Sequence, residues 1–120
     1  MDTHLAPGYQ VFQSLPSTVT DVTAFTAVVR TEITTLFMAN VTATAATARV
    51  YHDDDGSTMS TATALLYNVS IPANTTIVLE AAELYGGINI SPSGTVGIGV
   101  GTASAINFTA YGVRQRKTKA

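Results

Sequence analysis

Residues 65–80 read LLYNVSIPANTTIVLE, two runs of branched and aromatic residues parted by Pro72-Ala73-Asn74. In the first run Leu65, Tyr67, Val69 and Ile71 alternate with Leu66, Asn68 and Ser70, the two-residue period of a strand with one face in a core. Pro72 has no N–H to give a ladder, so the run stops there. Thr75–Glu80 then resumes it, with Ile77 and Leu79 on one face.

The same grammar spreads in both directions. Upstream, Phe25, Ala27, Val29, Thr31 and Ile33 alternate with Thr26, Val28, Arg30 and Glu32, which predicts one strand from Phe25 to Phe37 with Arg30 and Glu32 outward. Its apolar end, Thr34-Thr35-Leu36-Phe37-Met38, invites a bulge before a turn at Ala39-Asn40. A strand over Val41–His52 follows, with Ala46, Ala48 and Val50 inward and Arg49 and Tyr51 outward. It ends at Asp53-Asp54-Asp55-Gly56, where Asp-Gly predicts a type I′ hairpin turn.

Downstream, Tyr85-Gly86-Gly87 is a corner, Ile88 and Ile90 make a short strand, and Ser91-Pro92-Ser93-Gly94 is a turn. In Val96-Gly97-Ile98-Gly99-Val100-Gly101 one face is bulky and the other bare, an invitation to another backbone or sheet. A last strand runs from Ala105 to Val113. Turn signals at this spacing and no convincing helix predict an all-β fold, an antiparallel β-sandwich or jelly roll of seven or eight strands.

Three parts are expected: an N-terminal arm over residues 1–18, a β-sandwich domain over 19–113 and a basic C-terminal tail over 114–120. The arm is broken by Pro7, Gly8 and Pro16 and offers Leu5, Tyr9, Val11, Phe12 and Leu15 as apolar anchors, either to its own domain or to a neighbour. The tail carries Arg114, Arg116, Lys117 and Lys119 without interleaved aromatics, which argues against a nucleic-acid groove.

The chain of 120 residues is 46% hydrophobic and only 12% charged, with a net charge of -2. Such a balance predicts one folded domain whose poorly charged exterior is solvated by Thr, Ser and Asn or covered by another subunit. The net charge is too small to steer the molecule to nucleic acid or membrane. There is no cysteine, so disulfides and thiolate chemistry are excluded. Neither a secretory leader nor a run long enough to cross a bilayer is read in the sequence, and synthesis in the cytoplasm is expected.

Catalytic signals are missing. Three adjacent carboxylates at 53–55 raise the question of calcium, but no distal Glu completes an EF-hand loop, and a plain turn is expected. His4 and His52 fit no zinc spacing. No G-x-S-x-G elbow occurs, and the glycines at 97, 99 and 101 alternate within a strand instead of opening a helix, so they are no nucleotide fingerprint. N-x-[ST] triplets at Asn40, Asn68, Asn74, Asn89 and Asn107 are expected chance spellings in a chain this rich in Thr and Ser. No enzyme, cofactor or metal is predicted.

Taken together, VVRTEITTLFMANVT, LLYNVSIPANTTIVLEAAELYGGINISPSG and INFTAYGV resemble a layout of small β-sandwich surface proteins from the virions of tailed bacteriophages, of the capsid decoration or cement type. The resemblance covers about residues 19–113 and rests on turn chemistry. It implies a homotrimer bound to the major capsid protein on the outer head surface, where it stabilises the shell. A head spike base, a tail-fibre module and a neck adaptor are the alternatives. A carbohydrate-binding module is disfavoured, since the chain has no Trp and only five Tyr. Under this reading Tyr9, Phe12, Arg30, Glu32, Tyr51, Arg114 and Arg116 are the expected interface residues, with no nucleic-acid or membrane partner.

Overall fold

The computed structural model describes residues 9–115. Its strands are β1 (Tyr9–Ser14), β2 (Val22–Thr26), β3 (Thr31–Asn40), β4 (Ala46–Asp53), β5 (Ala64–Ile71), β6 (Thr76–Leu79), β7 (Ile88–Ile90), β8 (Thr95–Val100) and β9 (Ile106–Arg114). Sheet I is ordered β1-β9-β3-β6, with β7 also on β3, and sheet II is ordered β2-β8-β4-β5; every pairing is antiparallel. No helix occurs among the described residues.

Nine strands fill eight positions. Strand β6 pairs with Leu36–Ala39 and β7 with Thr31–Ile33, so both lie along the same edge of β3, parted by an inserted turn. The chain crosses between the sheets at every connection except β4 to β5 and β6 to β7. That interleaving is the connectivity of a jelly roll, so the expected fold class holds.

The core lies between the sheets. Leu36, Met38, Ile33, Phe108 and Ile106 from sheet I meet Val50, Ile71, Val96, Ile98 and Val100 from sheet II, all essentially without exposure. Each such side chain contributes about 1.5–3 kcal/mol by leaving water. Alternation on β8 is as expected, with Val96, Ile98 and Val100 inward.

Several local expectations change. Strand β1 of the expected arm is an edge of sheet I, held on β9 from Tyr9 opposite Gly112 to Ser14 opposite Phe108, because Val11 and Phe12 bury themselves in the core. The strand expected over Phe25–Phe37 is two strands in two sheets. Ala27 turns the corner: its N–H donates to Gly94 O (2.9 Å) and its carbonyl accepts from Ser93 N (2.8 Å), which ends β2 before β3 starts. The expected bulge is present at Thr34, opposite the step from Gly112 to Tyr111.

Asp55-Gly56 does not form the type I′ turn. Neither residue has positive φ; instead the Asp53 carboxylate accepts from Asp55 N (3.3 Å) and Thr58 N (2.8 Å), opening the turn into a long connection that closes where His52 N donates to Thr63 O. On β5 the alternation slips. Asn68 takes φ 54° at a bulge, so Leu66, Val69 and Ile71 pack inward while Leu65 and Tyr67 stand exposed.

Bulges recur along the borders of both sheets. Val11 on β1, Ala24 on β2 and two positions on β5 are extra residues, and the fourth border is broken between β6 and β7.

Candidate interface surfaces

The two outer faces differ in kind. On sheet I three successive rows point outward from the sheet: Gln10, Tyr111 and Thr35; Gln13, Thr109, Phe37 and Val78; Asn107, Ala39 and Thr76, with Thr109 covered by its neighbours. None of these residues carries a charge at neutral pH. Phe37 meets the Tyr111 ring edge to face at 6.0 Å, and Gln10 and Gln13 donate to Tyr111 and Thr109 across the strands. A shallow groove of about 280 Å³ runs over this face, floored by Phe37, Ala39, Thr109 and Tyr111. Polar side chains that bond one another and carry no charge lose little when a flat partner displaces water.

Sheet II covers itself. The glycines of β8, with Gly101 just after it, leave a floor with no side chains, and the chain's own groups fill it: Met59 lies over Gly97, Asp21 and the Arg49 guanidinium over Gly99, and Thr47 over Gly101. No second backbone or sheet occupies the bare face among the described residues. Asp21 is the hub. Its Oδ1 accepts from Arg49 Nε at 2.9 Å and its Oδ2 from the Tyr51 hydroxyl at 2.9 Å, while Arg49 also donates to Val19 O, Val100 O and Asn68 Oδ1. Burial works against the Arg49 charge, but the bond and charge of Asp21 outweigh it and hold the guanidinium above its ordinary pKa. Burial first, then the Asp21 hydrogen bond, raises the Tyr51 phenol.

A third feature opens where the sheets part, between β5 and the β6 to β7 border. An apolar cleft of about 360 Å³ is lined by Leu36, Val50, Leu65, Leu66, Leu79 and Leu84, with His52, Glu83, Tyr85 and Asn89 among the polar members of its wall. The turn over residues 80–87 shapes it. Glu83 reaches back to accept from Glu80 N at 2.7 Å, as in a capping box, and Gly86 N closes on Ala81 O at 2.7 Å. That Schellman-like closure puts Tyr85, not a glycine, in the left-handed region at φ 53°, and leaves its side chain 98% exposed.

Of the expected interface residues, three sit together at one end of sheet I. The Arg114 guanidinium lies 4.6 Å from the centre of the Tyr9 ring, and Gln115 N donates to Arg30 O. Tyr9 is half-buried, Arg30 and Arg114 are exposed, and Glu32 is half-buried against Gly87. Phe12 and Tyr51 do not reach the surface. Phe12 belongs to the core and Tyr51, 2% exposed, is roofed on the outer side of sheet II. Arg116 and His4 lie outside the described residues.

The carboxylates at 53–55 do not converge. Asp53 caps its own turn, and Asp54 accepts from Ser91 N and Oγ, both at 2.8 Å, and meets His52 Nε2 at 3.2 Å. Among the described residues no three His, Asp or Glu side chains gather as a metal would require. The cleft and the Asp21 hub were not legible in the sequence, because each joins segments from three or four parts of the chain.

No protein-family model matches the sequence, and no curated protein matches it. Among solved structures, that of infectious bursal disease virus Gx strain is similar over 97% of this chain and 36% of that one, at 15% identity and a TM-score of 0.32. The chain thus spans about a third of the length of the protein it matches. Likeness at that level transfers neither fold nor function.

Proposed function

We propose that this chain is a structural virion protein, a capsid decoration protein that assembles as a homotrimer on the major capsid protein at the outer head surface and stabilises the shell. The observation that carries the reading is the uncharged patch of three rows on the outer face of sheet I, on a jelly-roll frame. Three rows without a charged group form a broad surface suited to another protein, whereas the opposite face is already occupied by the chain's own side chains. The step from that architecture to a virion is one of fold analogy joined to the turn motifs quoted above. The role is architectural and not catalytic: the ionisable groups that do meet, Asp21 with Arg49 and Asp54 with His52, are held in structural hydrogen bonds. Repetition of a modest contact over a symmetric shell would multiply its strength.

Copy number tests this directly. Quantitative gel staining of purified particles should show the protein in hundreds of copies. A dozen or fewer would assign it to a spike base, fibre or neck adaptor, and absence from particles would overturn a virion role. Purified protein should also bind empty capsids from which it has been stripped.

A further inference from the structure

We infer that the cleft between β5 and the β6 to β7 border receives the basic C-terminal segment of a second copy of the chain. Two independent features of the rim point to a protein occupant. Tyr85 is held fully exposed on left-handed backbone, a conformation that a non-glycine residue adopts at a cost and that clusters at functional sites. Leu65, 48% exposed, stands on the same rim because of the β5 bulges.

Charge complementarity identifies the occupant. Glu83 lines the cleft and Glu80 begins the turn that shapes it. Asp54 touches His52, another lining residue, and ties the 53–55 loop to Ser91 beside it. Glu83 in the wall, with Glu80 and Asp54 each bonded to a lining residue, therefore gives this opening acid character, and no Arg or Lys is among its lining residues. Four of the chain's six bases lie in residues 114–119. Lys and Arg can lay aliphatic stems along an apolar wall while their charged ends meet the acids, and Tyr85 offers a ring to a cation.

The described end of the segment is turned away from its own cleft: the Arg114 guanidinium lies over the Tyr9 ring of β1, on the opposite edge of sheet I from β6 and β7. A second copy is therefore the donor, and seating of the chain's own tail is an outcome of the test. Such a contact joins unlike surfaces and closes into a ring when the rotation permits.

The inference deepens the assembly part of the proposed function and says nothing of where the assembly sits. Sedimentation of the purified full chain should show association that weakens with salt. Glu80→Lys with Glu83→Lys should weaken it by roughly tenfold or more, since like charges then face each other. Arg116→Glu with Lys117→Glu and Lys119→Glu should do the same, and the two sets combined should restore it. Removal of residues 116–120 gives an independent check that leaves the acid rim untouched. A monomer at every salt concentration, a tail change without effect, or failure of the combined variant to recover would overturn the inference. So would a concentration-independent shift of the Tyr85 resonance on tail removal, which would seat the tail on its own cleft. Association of this kind in a protein absent from particles would remove the virion reading alone; a monomer that coats particles would remove the inference alone.

Discussion

Sheet I and sheet II share a core and differ outside it. On sheet II the bare floor of β8 is filled by a carboxylate, a guanidinium and a thioether drawn from the β1 to β2 crossover, β4 and the 54–63 connection. On sheet I full-sized side chains stand in rows, bond across strands and leave nothing to be neutralised. The lesson is that a low count of charges is not spread evenly. The face with ions has used them internally, and the three uncharged rows of sheet I are left uncovered by the chain's own described side chains.

The sharpest way to break the contrast is Asp21→Ala. It would strand the Arg49 charge and a buried Tyr51 hydroxyl together, at a cost of about 2–4 kcal/mol, read as a lower urea midpoint with unchanged slope. Gly99→Ala would force the hub aside, because an added Cβ overlaps the Asp21 carboxylate and comes within 2.8 Å of Arg49; about 1–3 kcal/mol of destabilisation is expected in the same assay. Tyr51→Phe keeps the packing and removes one bond, for about 1 kcal/mol.

Acid should act through the 53–55 loop. Backbone N–H groups, Thr58 on Asp53 and Ser91 on Asp54, hold both carboxyls below their ordinary range. A depressed folded pKa means stability that is present above the unfolded value and lost as pH falls through the folded one. The urea midpoint should therefore show no pH dependence from these groups between neutrality and the ordinary carboxylate range, where their stabilisation is fully present, and then decline below it. Asp54→Asn should flatten part of that decline. The smallest effect on stability belongs to sheet I. Gln13→Glu with Thr76→Glu, both at exposed sites, should change stability by within about 0.5 kcal/mol and yet abolish capsid binding in a pelleting assay.

Much of the frame could be read from alternation alone. Val96, Ile98 and Val100, or Ala46, Ala48 and Val50, announce their inner face by a strict period of two. Where the period broke, the cause was tertiary. Ala27 looked like one more inward residue, and only the clasp by Ser93 and Gly94 makes it a corner. Asn68 looked like a polar outward residue, and its left-handed backbone shifts the half of β5 before it by one position, while Val69 and Ile71 keep their expected face. Arg30 and Arg114 were recognisable as surface charge by residue type. Tyr51 was misplaced because outward from the sheet need not mean outward to water, and nothing local to β4 reveals the roof that Asp21 and Met59 help to build. The cleft was invisible for a simpler reason: it is a gap between elements, and a period describes only elements.

The irregular borders of the two sheets bear on crowding. Each is bulged or broken, so no run of free N–H and C=O groups is straight enough to template an added strand. Molecules held side by side at very high local density would then meet through side chains alone, and a densely tiled layer could form without seeding fibrils.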